Sequence, residues 1–158
     1  GVIQRDRAEK AGTELAVERG HTPMRLEAKP SFGNILVWKT IYETDELFHV
    51  DAVRAGLDIT YFPGQAIEKF DSSMHSPKDS RQAEDIQRFS WFSNGYLAQD
   101  PDHAGRIIDV RYSMVPNEID ALWGIELNAN TPDEHVQFVT MRENSSEKLR
   151  ELVEMIYR

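Results

Sequence analysis

Apolar and polar residues alternate along several short stretches of this chain, and each stretch predicts a β-strand. The densest stretch covers residues 32–43, where both faces of an extended chain are largely apolar, as in a well-covered central strand. Weaker stretches cover residues 47–56, 57–62, 105–115, 121–128 and 135–141. Pro63-Gly64 is expected to end the third of these strands. The short spacers between strands favour antiparallel pairing, because a parallel crossover needs a dozen or more residues.

Three other segments have the spacing of apolar residues that is typical of a helix: residues 2–19, about 81–93, and a C-terminal segment from about 144. Asp79 or Ser80 can cap the second helix, and Asn94-Gly95 supplies its end. Asn144 with Glu147 three residues later resembles a capping box at the start of the third helix.

The order of these elements predicts an α+β fold. We expect a single twisted antiparallel sheet of about five to six strands with helices packed on one face and a helix at each terminus. The apolar stripe of the first helix is mostly alanine, so we expect that helix to be a solvated connection, followed by a linker over residues 20–31. Residues 1–29 are therefore assigned to a helix and linker, and residues 30–158 to a single α+β domain.

The composition of the chain excludes several classes of function. The chain of 158 residues carries a formal net charge of −9, which argues against nucleic acid as a partner, because phosphate binding needs a basic surface. The charge is uneven: residues 1–29 have a balance of +1 and the remainder a balance of −10. Cysteine is absent, which excludes disulfides and thiolate chemistry. No run of residues is apolar enough to span a bilayer, so we expect a soluble domain.

No motif of a known catalytic or metal site is present, and we assign no catalytic residue and no metal ligand. None of the five histidines pairs with another at the spacing of a local zinc site. His49 and Asp51 lie on one face of a predicted strand and supply two ligands at most.

The candidate ligand-binding residues are Asp109, Arg111 and Tyr112, together with His49 and Asp51. Asp109 and Arg111 project from the same side of one predicted strand, with Tyr112 beside them. One interpretation is a carboxylate that orients a guanidinium toward an anionic ligand. The other is an ion pair that fixes the geometry of the sheet or of a docked helix.

A second set of residues, Pro30, Asn34 and Trp38, forms a spaced structural motif at the entry to the densest strand. This motif, the following LFHVDAV, the segment RFSWFSNGYL and the strand IIDVRYS occur in order over about residues 5–128. Together they resemble the soluble C-terminal region of bacterial membrane-bound metal-dependent hydrolases, the YbcI/YdjM-like group of inner-membrane proteins.

The resemblance implies an N-terminal bundle of membrane helices that precedes this chain and holds the divalent metal, for which zinc is one candidate. No ligand of that metal can be placed on the present residues. Residues 1–29 would then connect the domain to the membrane part. Arg5, Arg7 and Lys10 near that connection favour the cytoplasmic side of the inner membrane.

Three functional hypotheses follow. The first is a non-catalytic accessory domain that positions a substrate or partner for the membrane-bound hydrolase. The second is a small stand-alone hydrolase in which the side chains of His49, Asp51, Asp109 and Arg111 converge in one pocket. The third is a self-association module that forms a homodimer.

Overall fold

The computed structural model describes residues 2–31, 36–71, 77–113, 115–141 and 145–157. Its elements are α1 (Val2–Glu18), β1 (Arg25–Pro30), β2 (Val37–Glu43), β3 (Leu47–Ala55), β4 (Ile59–Glu68), α2 (Arg81–Phe92), β5 (Leu97–Gln99), β6 (Arg106–Asp109), β7 (Trp123–Glu126), β8 (Gln137–Thr140) and α3 (Ser145–Tyr157). The predicted α+β class and the antiparallel pairing are confirmed.

The strands form two sheets, so the prediction of a single sheet of five to six strands is wrong. The first sheet has the order β1-β2-β3-β4 and the second has the order β5-β6-β7-β8, each with four antiparallel strands. The sheets pack face to face through a core that joins Ile41, Phe48 and Val50 of the first sheet to Ile108 of the second. Each sheet is thereby covered on one face by the other sheet.

Helices α1 and α2 lie on opposite outer faces of this sandwich, not together on one face. Ala8 and Ala11 of α1 pack against Trp38 and Val53 of the first sheet. Ile86 and Phe89 of α2 form a second outer core with strands of the other sheet. The layers therefore run α1, first sheet, second sheet, α2.

Residues 2–31 form more regular structure than the sequence pattern predicts. Helix α1 was expected to be a solvated connection, but its small residues let it lie close to the sheet, and an added methyl at Gly12 would touch Leu26 and Thr40. Strand β1 occupies much of the expected linker and pairs with β2. β1 is an edge strand, where a proline such as Pro30 is tolerated because one side of the strand makes no ladder hydrogen bonds.

Strand β4 likewise continues through Pro63-Gly64, which was expected to end it. β4 is the opposite edge of the first sheet, and its pairing with β3 is irregular between Val50 and Ala52. An added methyl at Gly64 would clash with the backbone carbonyl oxygens of Val50 and Asn117. The glycine thus allows the irregular strand to lie close to both segments.

The ends of α2 agree with the prediction. Ser80 is the N-cap, and its hydroxyl accepts a hydrogen bond from the Ala83 amide at 3.2 Å. After the helix, Asn94 and Gly95 have positive φ angles of 51° and 74°. The predicted cap of α3 at Asn144 lies outside the described residues.

Candidate functional site

The sequence-predicted ligand residues fall into two groups that lie on different layers. His49 and Asp51 pair with Tyr42 and Thr40 of β2 and share the face that packs on α1. Asp109 lies at the end of β6 in the second sheet. The structure therefore does not bring His49 and Asp51 into one pocket with Asp109 and Arg111.

The Asp51 carboxylate accepts hydrogen bonds from other groups of the protein. Its two carboxylate oxygens accept hydrogen bonds from the Arg19 guanidinium at 2.9 and 2.8 Å. The Gly64 amide donates a third hydrogen bond to Oδ1 at 2.9 Å. The bond to Asp51 raises the pKa of Arg19. This buried ion pair fastens the residue that follows α1 to the first sheet, which is a structural task.

His49 belongs to a stack of rings beside that ion pair. Its ring lies parallel to the Tyr42 ring, with 4.5 Å between centroids and 12° between planes. The His21 ring lies 4.7 Å from it, and His21 Nδ1 is 2.7 Å from the Tyr42 hydroxyl. Burial, and then the charges of His21 and Arg19, lower the pKa of His49. Among the residues that the structure describes, no group of three or more His, Asp and Glu side chains could hold a metal ion.

Asp109 and Arg111 form a bidentate ion pair, with Arg111 Nε 3.0 Å from Oδ1 and a terminal nitrogen 2.9 Å from Oδ2. Asp109 is 1 % exposed and also accepts a hydrogen bond from the Trp123 indole at 3.2 Å. Arg111 reaches the Phe92 carbonyl at the end of α2 at 3.2 Å. The pair therefore joins β6 to the end of the helix, as the ion-pair interpretation of these residues predicts.

Arg111 and Tyr112 also line a cavity of about 150 Å³ between the two sheets. We call it the Lys39 cavity. Its described lining consists of Lys29, Pro30, Ser31, Lys39, Arg111, Tyr112, Ser113, Pro116 and Leu122. Of these residues three are cationic and none is acidic. Pro30 of the predicted structural motif is at its rim, Trp38 lies in the core under α1, and Asn34 is outside the described residues.

Lys39 is the residue of this cavity that sequence reasoning missed. It is 3 % exposed, and its ammonium nitrogen lies 2.8 Å from Ser113 Oγ and 3.2 Å from the Glu118 carbonyl oxygen. Burial lowers the pKa of Lys39 to about 7. The signal was available, because Lys39 stands between the apolar residues Val37 and Ile41 on one face of a buried strand.

The carboxylates nearest to Lys39 are engaged elsewhere. Asp109 is paired with Arg111. Glu118 and Asp120 both bind Lys148 of α3, Glu118 at 2.9 Å. Within the described part of the chain Lys39 consequently has no salt bridge of its own. The charges of Asp109, Glu118 and Asp120 still raise the pKa of Lys39, but burial outweighs them. A buried amine without an ion pair of its own, in a cavity, is the kind of group that functional sites contain.

Comparisons with family models, with curated proteins and with solved structures found no match to this chain. Helices in the described ranges are too short or too polar to cross a lipid bilayer. The likeness to membrane-bound hydrolases thus depends on the sequence motifs alone.

Proposed function

We propose that this domain binds a small anionic ligand in the Lys39 cavity and positions it without itself being the catalyst. The observation that supports this is the lining of the cavity, in which Lys29, Lys39 and Arg111 are the described charged residues. This cationic site lies in a chain whose net charge is −9. A cleft lined by one sign of charge raises the local concentration of ions of opposite sign, so this lining would attract an anion although the chain as a whole is negative.

The missing counter-charge of Lys39 gives the site its affinity. Two unit charges 4 Å apart attract each other by about 4 kcal/mol at an effective dielectric constant of 20. A carboxylate or phosphate oxygen beside the Lys39 nitrogen would therefore favour the ammonium form and raise the pKa of Lys39. Above pH 7, where part of Lys39 is neutral, anion binding should be accompanied by uptake of a proton.

Calorimetric titration with acetate and with inorganic phosphate at pH 8, in two buffers of different ionisation enthalpy, tests this proposal. We expect binding with net proton uptake, and we expect Lys39→Met to abolish the uptake and weaken binding at least tenfold. Lys10→Met, which removes an exposed ammonium from α1, is the control and should bind like the parent chain. Equal binding by the parent and Lys39→Met would contradict the assignment.

The resemblance to membrane-bound metal-dependent hydrolases extends this proposal. In that arrangement the domain would be the accessory part of an inner-membrane protein, on its cytoplasmic side, and would hold an anionic substrate or product near a metal site in the N-terminal membrane part. The protein with its natural upstream residues should then fractionate with membranes and contain a divalent metal. Recovery of that protein in the soluble fraction without metal would refute the extension.

Self-association is a second proposal, and exposed aromatic side chains favour it. Trp91 of α2 is 86 % exposed, and Phe92 is half-exposed. Phe92 and Phe138 border a groove of about 530 Å³ between α2 and the β7–β8 side of the second sheet. Apolar patches of this kind are typical of association surfaces.

Sedimentation velocity over a dilution series tests homodimer formation through this groove. Phe138→Glu should shift the protein to the monomer at concentrations where the parent is dimeric. Leu57→Glu, at a fully exposed leucine between β3 and β4, is the matched control and should leave the dimer intact. A parent chain that is monomeric at every concentration refutes this second proposal.

A further inference from the structure

The hydrogen bonds around Lys39 define the state of its amine. The Ser113 hydroxyl oxygen lies 2.7 Å from the Val115 carbonyl oxygen, which can only accept, so the hydroxyl hydrogen is directed there. Ser113 Oγ must then accept a hydrogen bond from Lys39. The Glu118 carbonyl oxygen accepts a second one. These two acceptors match the two hydrogens of a neutral amine and leave its lone pair without a hydrogen-bond donor among the described residues.

The ammonium form fits this environment less well. Its third hydrogen has no acceptor among the described residues, and burial lowers the pKa of Lys39 to about 7. In about half of the protein molecules the Lys39 amine is therefore neutral near pH 7. A neutral lysine amine in a cavity is a nucleophile for carbonyl carbon.

Two other lysines of the described chain have different surroundings. Lys148 is bound by Glu118 and Asp120, and Lys69 is 2.7 Å from a Glu43 carboxylate oxygen. Burial lowers the pKa of Lys148, but the bonds to Asp120 and Glu118 outweigh it and raise that pKa, which favours the ammonium form without a lone pair for nucleophilic attack. Lys39 is thus distinguished by its cavity and by its lack of an acidic partner.

We propose that Lys39 reversibly forms an imine with the carbonyl carbon of a small 2-oxo carboxylic acid. This inference rests on the proposed function, because it uses the same cavity and the same cationic lining for the ligand carboxylate. Arg111 and Lys29 are the cations that would bind the carboxylate while Lys39 meets the adjacent carbonyl group. A cavity of about 150 Å³ suits a ligand of a few heavy atoms, of the size of glyoxylate or pyruvate.

The reaction needs no additional reactant. The lone pair of Lys39 Nζ forms the new C–N bond, and the π electrons of the carbonyl group move to its oxygen. The two amine hydrogens then pass to that oxygen, which leaves as water, and the C=N bond forms. Hydrolysis reverses the steps, so the ligand is captured and released without net oxidation or reduction.

Reductive trapping tests the inference on the intact chain. The protein is incubated with pyruvate at pH 7.5 in the presence of sodium cyanoborohydride, and adducts are located by intact mass and peptide mapping. We expect one adduct per chain, on Lys39, forming at least tenfold faster than on any other lysine. The rate should rise between pH 6 and pH 8, L-lactate should slow it, and Lys39→Met should lose the adduct whereas the Lys10→Met control keeps it.

The outcomes separate this inference from the proposed function. If acetate and phosphate bind in a Lys39-dependent way but pyruvate labels the lysines without preference, the imine is refuted and the anion site stands. If pyruvate labels Lys39 selectively but acetate, phosphate and L-lactate neither bind nor protect, the reactive amine stands and the anion site is refuted. Labelling spread evenly over exposed lysines, with no anion binding, overturns both.

Discussion

Lys39→Met is expected to change how the free energy of unfolding depends on pH. The pKa of Lys39 is about 7 in the folded protein, well below the value of about 10.4 for lysine in an unfolded chain. Between these two values the unfolded state binds more protons than the folded state, so stability rises with pH. Below pH 7 both states carry the proton, and this contribution to stability is absent.

The size of the effect follows from the same two values. Well between the two pKa values, Lys39 makes the free energy of unfolding rise by about 1.4 kcal/mol per pH unit. At pH 7 the rise is about half as steep. The parent chain should therefore gain about 2 kcal/mol from this one group between pH 7 and pH 9. Met has a similar length and no charge, so the variant should lack that gain.

Urea unfolding at pH 7, 8 and 9, followed by circular dichroism, measures the difference between the two proteins. Other titrating groups contribute equally to both and cancel in the comparison. Lys10→Met controls for loss of one cation, because an exposed ammonium on α1 stays in contact with water in both states. If the profiles of Lys39→Met and the parent run parallel, Lys39 is not a buried amine with a lowered pKa, and the argument for the cavity fails.

Three further substitutions test the packing around the two sheets, all by urea unfolding at pH 7. Asp109→Asn leaves the guanidinium of Arg111 without its buried partner and should cost about 3–5 kcal/mol; a loss below 1 kcal/mol would show that the pair is not buried in solution. Gly64→Ala forces a methyl group against two carbonyl oxygens and should cost more than about 2 kcal/mol, so an unchanged midpoint would contradict the irregular β4. Tyr96→Phe should be neutral or stabilising by up to about 1 kcal/mol, because that buried hydroxyl has no hydrogen-bond partner among the described residues; a clear loss would reveal one.

Local signals in the sequence were sufficient for much of the secondary structure. The Ser80 cap and the Asn94-Gly95 end of α2 are encoded by a few adjacent residues, and the structure has them where the pattern predicts. The alternating stretches also produced strands with antiparallel pairing. Such features depend on neighbouring residues, which is why one sequence is enough to infer them.

The arrangement of the sheets depends on contacts that alternation does not encode. Two apolar faces on a strand such as β2 predict that both sides are covered. They do not indicate whether each cover is a helix or another sheet. Here the covers are α1 on one face and the second sheet on the other. The predictions for β1 and β4 were wrong at their prolines. A proline ends a central strand but is compatible with an edge strand, and β1 and β4 are the edges of the first sheet. Which strands lie at an edge is known only once the sheet is assembled.

The candidate site was found only in part for a similar reason. Arg111 and Tyr112 were singled out as ligand candidates, and both line the cavity. Their neighbour there, Lys39, is 72 positions away from Arg111 in the sequence and meets it only because the two sheets stack. The residues grouped with them by chemistry, His49 and Asp51, face α1 instead.

The energetic comparison of the buried charges explains why Lys39 is the better candidate for function. Asp51 and Asp109 are each neutralised by an arginine inside the protein, so the fold itself accounts for the burial of both carboxylates. Lys39 is buried without such a partner in the described chain, and a methionine at that position would avoid the cost of burying a charge. A group that lowers stability is retained most simply where it has a task. An anion in the cavity would supply the missing charge, so under the proposed function the burial that weakens the fold at neutral pH would also favour binding of the ligand.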